Sequence, residues 1–453
     1  MTLSSFLIFL PTILSGSLIV HLLWPERRPM ALLLKLSLGV GLGMGISSIL
    51  YFMILVVAPG RVNMLLVTFI LFAMLSLAVL VREQGRQWDQ PRFPRLSGLQ
   101  WGLVTAMVVA LGFMTLTFFN LILSRPQGAF DAWSIWDRAA RFIYRDPQNW
   151  HAAFSPELDW LNHPDYPLLV PLNVAWGWEA VGQETQRIPI IQAMFFVLAS
   201  AALMFASVGL VRTIGQASLS TLVLICTPTF IAVGAGLVSD IPVMYYILAS
   251  SVLIFLALTQ QPRLWILSGF MAGLAGWAKN EGLLFIVVSM LVLILTRPKG
   301  PGRVLTRYSA GLAVPFAVLL YFKSIAPAND IFALDAGNQW TRIVDLSRYW
   351  LLLKAIGAQA LGFGGWSFSI LFALAIYALV VRLKPSSHSR LGVLTIAAII
   401  MLQFLGYCAV YVLTPHDLEW HLGTSLGRLI LHIFPSALFL YFNTIKDPET
   451  IFA

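Results

Sequence analysis

Charge is scarce in this chain. Lysine, arginine, aspartate and glutamate make up 11% of 453 residues, against 58% hydrophobic, and the mean hydropathy is +0.82. Soluble domains carry about 25% charged residues, so a set of water-soluble domains is excluded. Cysteine is scarcer still. Cys226 and Cys408 both lie in apolar runs, which excludes a disulfide scaffold and reads as small buried apolar side chains. Metal-ligand spacing is missing: His151, His163, His416 and His421 fall in no His-x-x-x-His pattern. Gly362-Phe363-Gly364-Gly365 lacks the Lys-Ser/Thr of a phosphate loop. There is no low-complexity segment and no internal repeat, which withholds support from an inverted-repeat transporter. The N-terminal residues lack a basic start and an Ala-x-Ala site, so they are expected to open a spanning helix rather than a cleaved leader.

What is abundant is apolar sequence in long runs. A span needs about 20 apolar residues to cross about 30 Å of hydrocarbon. Thirteen runs are expected to span: 6–24, 31–58, 62–81, 100–124, 188–211, 217–238, 242–259, 264–278, 282–296, 309–327, 366–381, 391–413 and 428–445. Two of them, 264–278 and 282–296, are short. The fold class expected is all-α, a polytopic transmembrane helix bundle.

The net charge of +9 is a topology signal rather than a nucleic-acid surface. Connectors on one side of the thirteen spans hold seventeen of the 29 basic residues but five of the 20 acids. That side is expected to be cytoplasmic and to face anionic lipid. Everything unusual then lies on the other side: a long loop at 125–187, a tight turn at 238–242, a loop at 328–365 with an interfacial helix near Ser347–Ala360, and a loop at 414–427.

The long loop holds Phe-Asp-Ala-Trp-Ser-Ile-Trp-Asp-Arg-Ala-Ala-Arg-Phe (130–142), His-Pro-Asp-Tyr-Pro (163–167) and six of the chain's 15 tryptophans. Residues 132–145 are expected to be helical, with Trp133, Trp136 and Ala140 on one face and Arg138, Arg141 and Arg145 on another. Such a helix would lie in the membrane interface. Asp137 stands four residues before Arg141, a spacing that predicts an intrahelical ion pair.

Several residues carry candidate chemistry. Asp131 follows the fourth span, and its residue type suits either a general base at the mouth of a cavity or an N-cap. Asp240 sits in the turn between two spans, where an acid is either a cap beside Pro242 or functional. Lys279 and Glu281 lie in Gly276-Trp277-Ala278-Lys279-Asn280-Glu281-Gly282, between the two short spans. Charge there is costly unless paired or facing a ligand, and Lys279 could hold a phosphate as a point charge. Arg428 opens the last span, where a guanidinium suits a bidentate phosphate contact or a headgroup anchor. His421 and His432 are weaker candidates.

This arrangement resembles the GT-C superfamily of polyprenyl-phosphate-dependent glycosyltransferases, such as protein O-mannosyltransferases and aminoarabinose transferases. Asp131 matches the family's first acid, Asp240 the second, Gly273–Gly282 the Lys-bearing hairpin, and Arg428 a late phosphate-contacting arginine. Tyr166-Pro167 is also similar to bacterial members. Three spans precede the Asp131 span, whereas the family usually begins with it, and Ala132 stands where a second acid is common. A divalent cation is the one cofactor the pattern admits, and no metal ligands are assigned.

The resemblance implies three parts: N-terminal helices over 1–99, a GT-C-like module over 100–300, and C-terminal helices over 301–453. It implies an inverting glycosyltransferase in a bacterial inner membrane. Its site would face the periplasm and use an undecaprenyl-phosphate-linked sugar, with a lipid, glycan or protein acceptor. Asp131 and Asp240 would be catalytic. Lys279, Glu281, Arg428, Arg138, Tyr166 and His421 would bind substrate. The alternative is a transporter or lipid flippase that uses the same acidic and basic groups, and a third reading is a non-catalytic membrane scaffold.

Overall fold

The fold was taken from a computed structural model that describes residues 3–85, 95–158, 163–329, 339–384 and 389–449. Arg86, Asp89 and Arg92 of the charge count, Trp160 of the loop and Asp330 lie outside the described residues. The described chain is helical, with one isolated β-bridge, Leu383 to Ile445.

Four long helices come first: α1 (Ser5–Leu23), α2 (Pro29–Val57), α3 (Met64–Glu83) and α4 (Gly98–Ser124). The long loop folds into a π-helical turn (Ala132–Trp136), α5 (Asp137–Arg145), a 3-10 stretch (Pro147–Phe154) and α6 (Leu169–Val181). Next come α7 (Arg187–Val211), the pair α8 (Ile214–Ile225) and α9 (Pro228–Ala235), and α10 (Asp240–Thr259). A hairpin of α11 (Leu264–Ala278) and α12 (Glu281–Thr296) precedes α13 (Pro301–Ile325). The short α14 (Gln339–Val344), α15 (Leu346–Gly362) and α16 (Ile370–Val381) lead to α17 (Arg390–Leu413) and α18 (Leu418–Thr444).

Among the described residues nine helices are long and apolar enough to cross a bilayer, or up to eleven if each of two bent pairs is one span. The chain is therefore a multi-pass membrane protein. The thirteen expected runs are helical over most of their length, but three fall short, and the run expected at 366–381 is helical only over the 12 residues of α16. At 1.5 Å per residue, the 15 residues of α11 and the 16 of α12 reach roughly 22–24 Å, less than the hydrocarbon thickness. The run expected at 217–238 is broken: α8 and α9 meet at 60°. Pro228 explains the break, because it lacks an N–H and forces Thr227 out of the helical region, here to φ −71°, ψ 111°. Where an interfacial helix is expected near 347–360 the chain forms α15, which turns by 82° into α16.

The bundle is built around α10, buried over 18 of its 20 residues, whereas α3 and α4 bury three of 20 and three of 27 and present apolar sides outward. Helix dipoles and apolar contact alone would let α10 slide. Tyr245 and Tyr246 fix it by donating to the Ser37 and Gly41 carbonyls of α2 at 2.6 and 2.8 Å, and Ser250 donates to Ser268 of α11 at 2.9 Å.

Charged groups gather at the helix ends as the sequence divides them. In one direction Glu83 meets His21 at 3.4 Å and also Arg27, while Arg212 meets Asp447 at 3.1 Å. Groups assigned to the opposite side collect in a separate knot, described next.

Candidate functional site

Two hydrogen bonds to backbone carbonyls assemble this knot. Gly128 has φ +74°, and a Cβ there would lie 2.5 Å from the Gly236 carbonyl. Only glycine permits that approach, and it lets Ala129 N–H donate to Gly236 O at 2.9 Å. The chain carrying Asp131 is thereby docked on the turn carrying Asp240. Ser239 Oγ then donates to the Ala278 carbonyl at 2.7 Å, which docks the Asp240 turn on the hairpin carrying Lys279.

The helix ends suit the charges they hold. Asp240 and Glu281 are the first residues of α10 and α12, and Lys279 caps the C-terminus of α11. Carboxylates at N-termini and a cation at a C-terminus each complement the helix dipole. Asp240 and Lys279 are buried, where an unpaired charge would be costly. They are paired: Lys279 Nζ lies 3.0 Å from Asp240 Oδ1 and 2.9 Å from Glu281 Oε1. His432 Nε2 lies 2.9 Å from the same Asp240 oxygen. Gln403 of α17 donates to the Glu281 carbonyl at 3.1 Å and to the Tyr407 hydroxyl at 3.0 Å.

Arg428 reaches this group from α18. Its Nη1 lies 2.5 Å from Asp131 Oδ2 and 3.7 Å from Asp240 Oδ2. Its Nε donates to Thr424 O of its own helix at 3.2 Å. The remaining nitrogen, Nη2, makes no hydrogen bond among the described residues. The Asp131 and Arg428 side chains are each 29% exposed, against 1% for Asp240 and 0% for His432. Asp131 and Arg428 thus form a mouth, and Asp240, His432 and Lys279 a floor.

Neither acid is a cap. Asp131 is itself helical at φ −59°, ψ −30° and makes no side-chain capping bond. Asp240 lies inside its helix, one residue past the capping position. The π-helical turn begins immediately after Asp131, and such turns cluster at functional sites.

Of the residues expected from sequence, Asp131, Asp240, Lys279, Glu281 and Arg428 meet in one knot. The Tyr166 ring centroid lies 6.0 Å from Lys279 Nζ, and the ring stacks on His163 at 4.4 Å and Trp136 at 5.5 Å. Arg138 and His421 are placed differently. Arg138 Nε donates to Ser134 O, 2.6 Å away in the preceding turn, and the side chain lines a small cavity with Trp136, His163 and Tyr166. His421 bonds Thr414 Oγ1 at 2.9 Å and packs edge-on to Tyr411.

Two local expectations change. Arg141 pairs with Glu184 at 3.6 Å rather than with Asp137. Gln186, with its amide turned to satisfy both neighbours, lies 3.3 Å from Asp137 Oδ2 and 3.3 Å from Arg141 Nη2. Trp136 is buried while Trp133 is exposed. The wider π-helical turn between them breaks the shared face that regular α-helical spacing predicts.

Of the two histidines, His432 lies in the knot and His421 outside it. The available signal was its spacing: Arg428 and His432 are four apart on α18, so both face the knot. Asp165, Asn280 and Lys323 carried no role in the sequence, and they form a second knot beside the first.

A divalent cation does not fit this arrangement. The space between the two aspartates is taken by Arg428 Nη1, and among the described residues no three His, Cys, Asp or Glu side chains gather as a ligand set. Comparison with known proteins gives no family-model match, no match to a curated protein and no match to a solved structure.

Proposed function

We propose that this chain is an integral membrane glycosyltransferase. It would move a sugar from a polyprenyl-phosphate donor to an acceptor on the extracytoplasmic face of a bacterial inner membrane. The observation that carries this reading is the division of Arg428. One guanidinium nitrogen sits between Asp131 and Asp240, while Nη2 is left for an anion at the mouth of the knot.

The chemistry follows from the positions. Asp131 is the more exposed carboxylate and would take the proton from the acceptor's hydroxyl or amine. The acceptor atom bonds the sugar's anomeric carbon as the carbon–oxygen bond to the phosphate breaks. The electron pair leaves with the phosphate, and a single displacement inverts the anomeric centre. Arg428 Nη2 and Lys279 would stabilise the charge that grows on the departing phosphate, the kind of term that dominates many enzymes. Asp240 and His432 would hold Lys279 and Arg428 in place from below. Tyr166 and Glu281 would border the donor. Arg138 and His421 lie outside the knot, so their part would be in binding the sugar or acceptor.

The burial of Asp240 and His432 also suits the second reading, a transporter or flippase in which buried titratable groups couple to substrate. One experiment separates the two. Purified protein is tested for binding of undecaprenyl phosphate, for release of that phosphate from its glycosylated form, and for movement of labelled lipid across proteoliposomes. Phosphate release abolished by Lys279→Met supports the transferase. Lipid movement without release supports the flippase and removes the catalytic role of Asp131.

A further inference from the structure

Three residues beside the knot form a closed ring. Asn280 Nδ2 donates to Asp165 Oδ2 at 2.6 Å, Lys323 Nζ donates to Asn280 Oδ1 at 2.7 Å, and Lys323 Nζ donates to the Asp165 carbonyl at 2.6 Å. Lys323 Nζ also lies 3.5 Å from Asp165 Oδ2, and Asn329 Nδ2 donates to that same oxygen at 2.8 Å. Asp165 is 3% exposed. The ring joins the 163–167 loop, the α11–α12 turn and the last turn of α13.

Its place in the chain matters more than its energy. Asp165 precedes Tyr166, and Asn280 stands between Lys279 and Glu281. Apolar packing could hold this loop down without burying an aspartate and half-burying a lysine, which is costly. Apolar packing is non-directional, whereas hydrogen bonds at these distances fix both separation and angle. The Tyr166 ring centroid lies 6.0 Å from Lys279 Nζ, so each of these two residues adjoins a member of the ring in sequence and faces the other in space.

We propose that Asp165, Asn280 and Lys323 are positioning residues of the site, holding Tyr166 in register with the Lys279–Glu281 pair. What the site then binds rests on the glycosyltransferase reading; the positioning itself does not.

The test has a structural arm and a ligand arm, both on the full chain in detergent. Hydrogen exchange is followed at 163–168 and 279–283 in wild type, Lys323→Met and Asp165→Asn. The Met variant removes the ring's cation. The Asn variant keeps an oxygen that can accept from Asn280 and Asn329. Expected is a joint loss of protection at both segments in Lys323→Met, with α10 unchanged and Asp165→Asn close to wild type. Loss at one segment alone, or loss spread through α10, overturns the proposal.

In the ligand arm, the Kd for undecaprenyl phosphate is measured in Lys323→Met, Tyr166→Leu and the double variant. Each single change is expected to weaken binding by about tenfold, and the double no further than the worse single, because residues acting as one unit are not additive. Additive losses overturn the positioning role. If wild type binds no polyprenyl phosphate, the transferase reading fails, and the exchange arm still decides whether the ring holds its two segments together.

Discussion

Arg428 and Asp131 stand 297 positions apart in the chain and meet through one Nη1–Oδ2 contact of 2.5 Å. The same nitrogen lies 3.7 Å from Asp240, so one guanidinium joins the loop after α4 to the start of α10. This contact takes Asp131 away from the capping role its residue type equally suits. Its backbone is helical and its oxygens face α18 rather than the amides of its own turn.

That geometry makes Asp131→Asn informative. The pair is part-buried, but Asn at 131 keeps an oxygen that can accept from Arg428, and no cap is lost, so the variant is expected to fold with a melting temperature near wild type. On the proposed transferase reading, turnover of a glycosylated undecaprenyl-phosphate donor is expected to drop by on the order of 10² or more, because Asn could not take the acceptor's proton. Thermal unfolding and a transfer assay on the same preparation check both halves. Full activity with Asn at 131 would move the base elsewhere.

Asp240 behaves differently because it is buried under three partners, Lys279, His432 and Arg428. Removing one member of a buried ionic group leaves the others uncompensated, at about 3–5 kcal/mol. Asp240→Ala is therefore expected to lose most of its folded yield, measured by size-exclusion chromatography after extraction. Asp240→Asn still accepts from His432 and Lys279 and is expected to fold while losing activity. If Asp240→Ala is as stable as wild type, the pairing around Lys279 carries little energy.

Much of this arrangement was legible because of where charge sits. Asp131, Asp240, Lys279, Glu281 and Arg428 each lie at an end of an apolar run, and ends on one side of a membrane protein are brought together by the length of the runs alone. Runs of apolar residues likewise marked the helices, and the short hairpin announced itself by length. Partner choice was not legible. Nothing in the spacing of Asp137 and Arg141 shows that Glu184 and Gln186 stand closer to the arginine. Asp165 lay inside a motif already conspicuous for its prolines, but its partners come from 115 and 164 residues away. The break at Pro228 was readable from the proline and was masked by the apolar residues around it.

The hairpin supplies a prediction about packing. A Cβ on Gly282 would sit 2.0 Å from the Ala275 backbone carbonyl, in the antiparallel contact of α11 and α12. Backbone cannot swing aside as a side chain can, so the helices must separate. Overpacking of this kind costs about 1–3 kcal/mol and sometimes more. Gly282→Ala is expected to lower the melting temperature and to weaken polyprenyl-phosphate binding together, because Lys279 and Glu281 ride on that turn. Gly302→Ala, at a position with open space around its missing Cβ, is the control and is expected to change neither. Equal behaviour of the two variants would show that α11 and α12 do not approach this closely.

Asp137 links the loop to pH. It is buried on α5, outside the spanning helices, and burial pushes its carboxyl up to about 7, with Arg141 and the Gln186 amide only partly opposing. Its ordinary value is 3.8. The folded protein therefore holds a proton that the unfolded chain releases first, and folding is favoured by low pH. The contribution is fully present below about pH 4 and is lost as pH rises through about 7. A shift of one unit corresponds to 1.36 kcal/mol, so the swing across this window is at most about 4 kcal/mol. Asp137→Asn removes the titration while keeping a neutral group of the same shape. It is expected to match wild type below about pH 4, to be the more stable of the two above pH 7, and to show the flatter profile of melting temperature against pH. Since α5 follows directly on the π-helical turn that begins after Asp131, the same variant is expected to keep activity at pH 8 for longer on heating. Parallel profiles for the two proteins would place Asp137 in contact with water and remove it as a source of pH dependence.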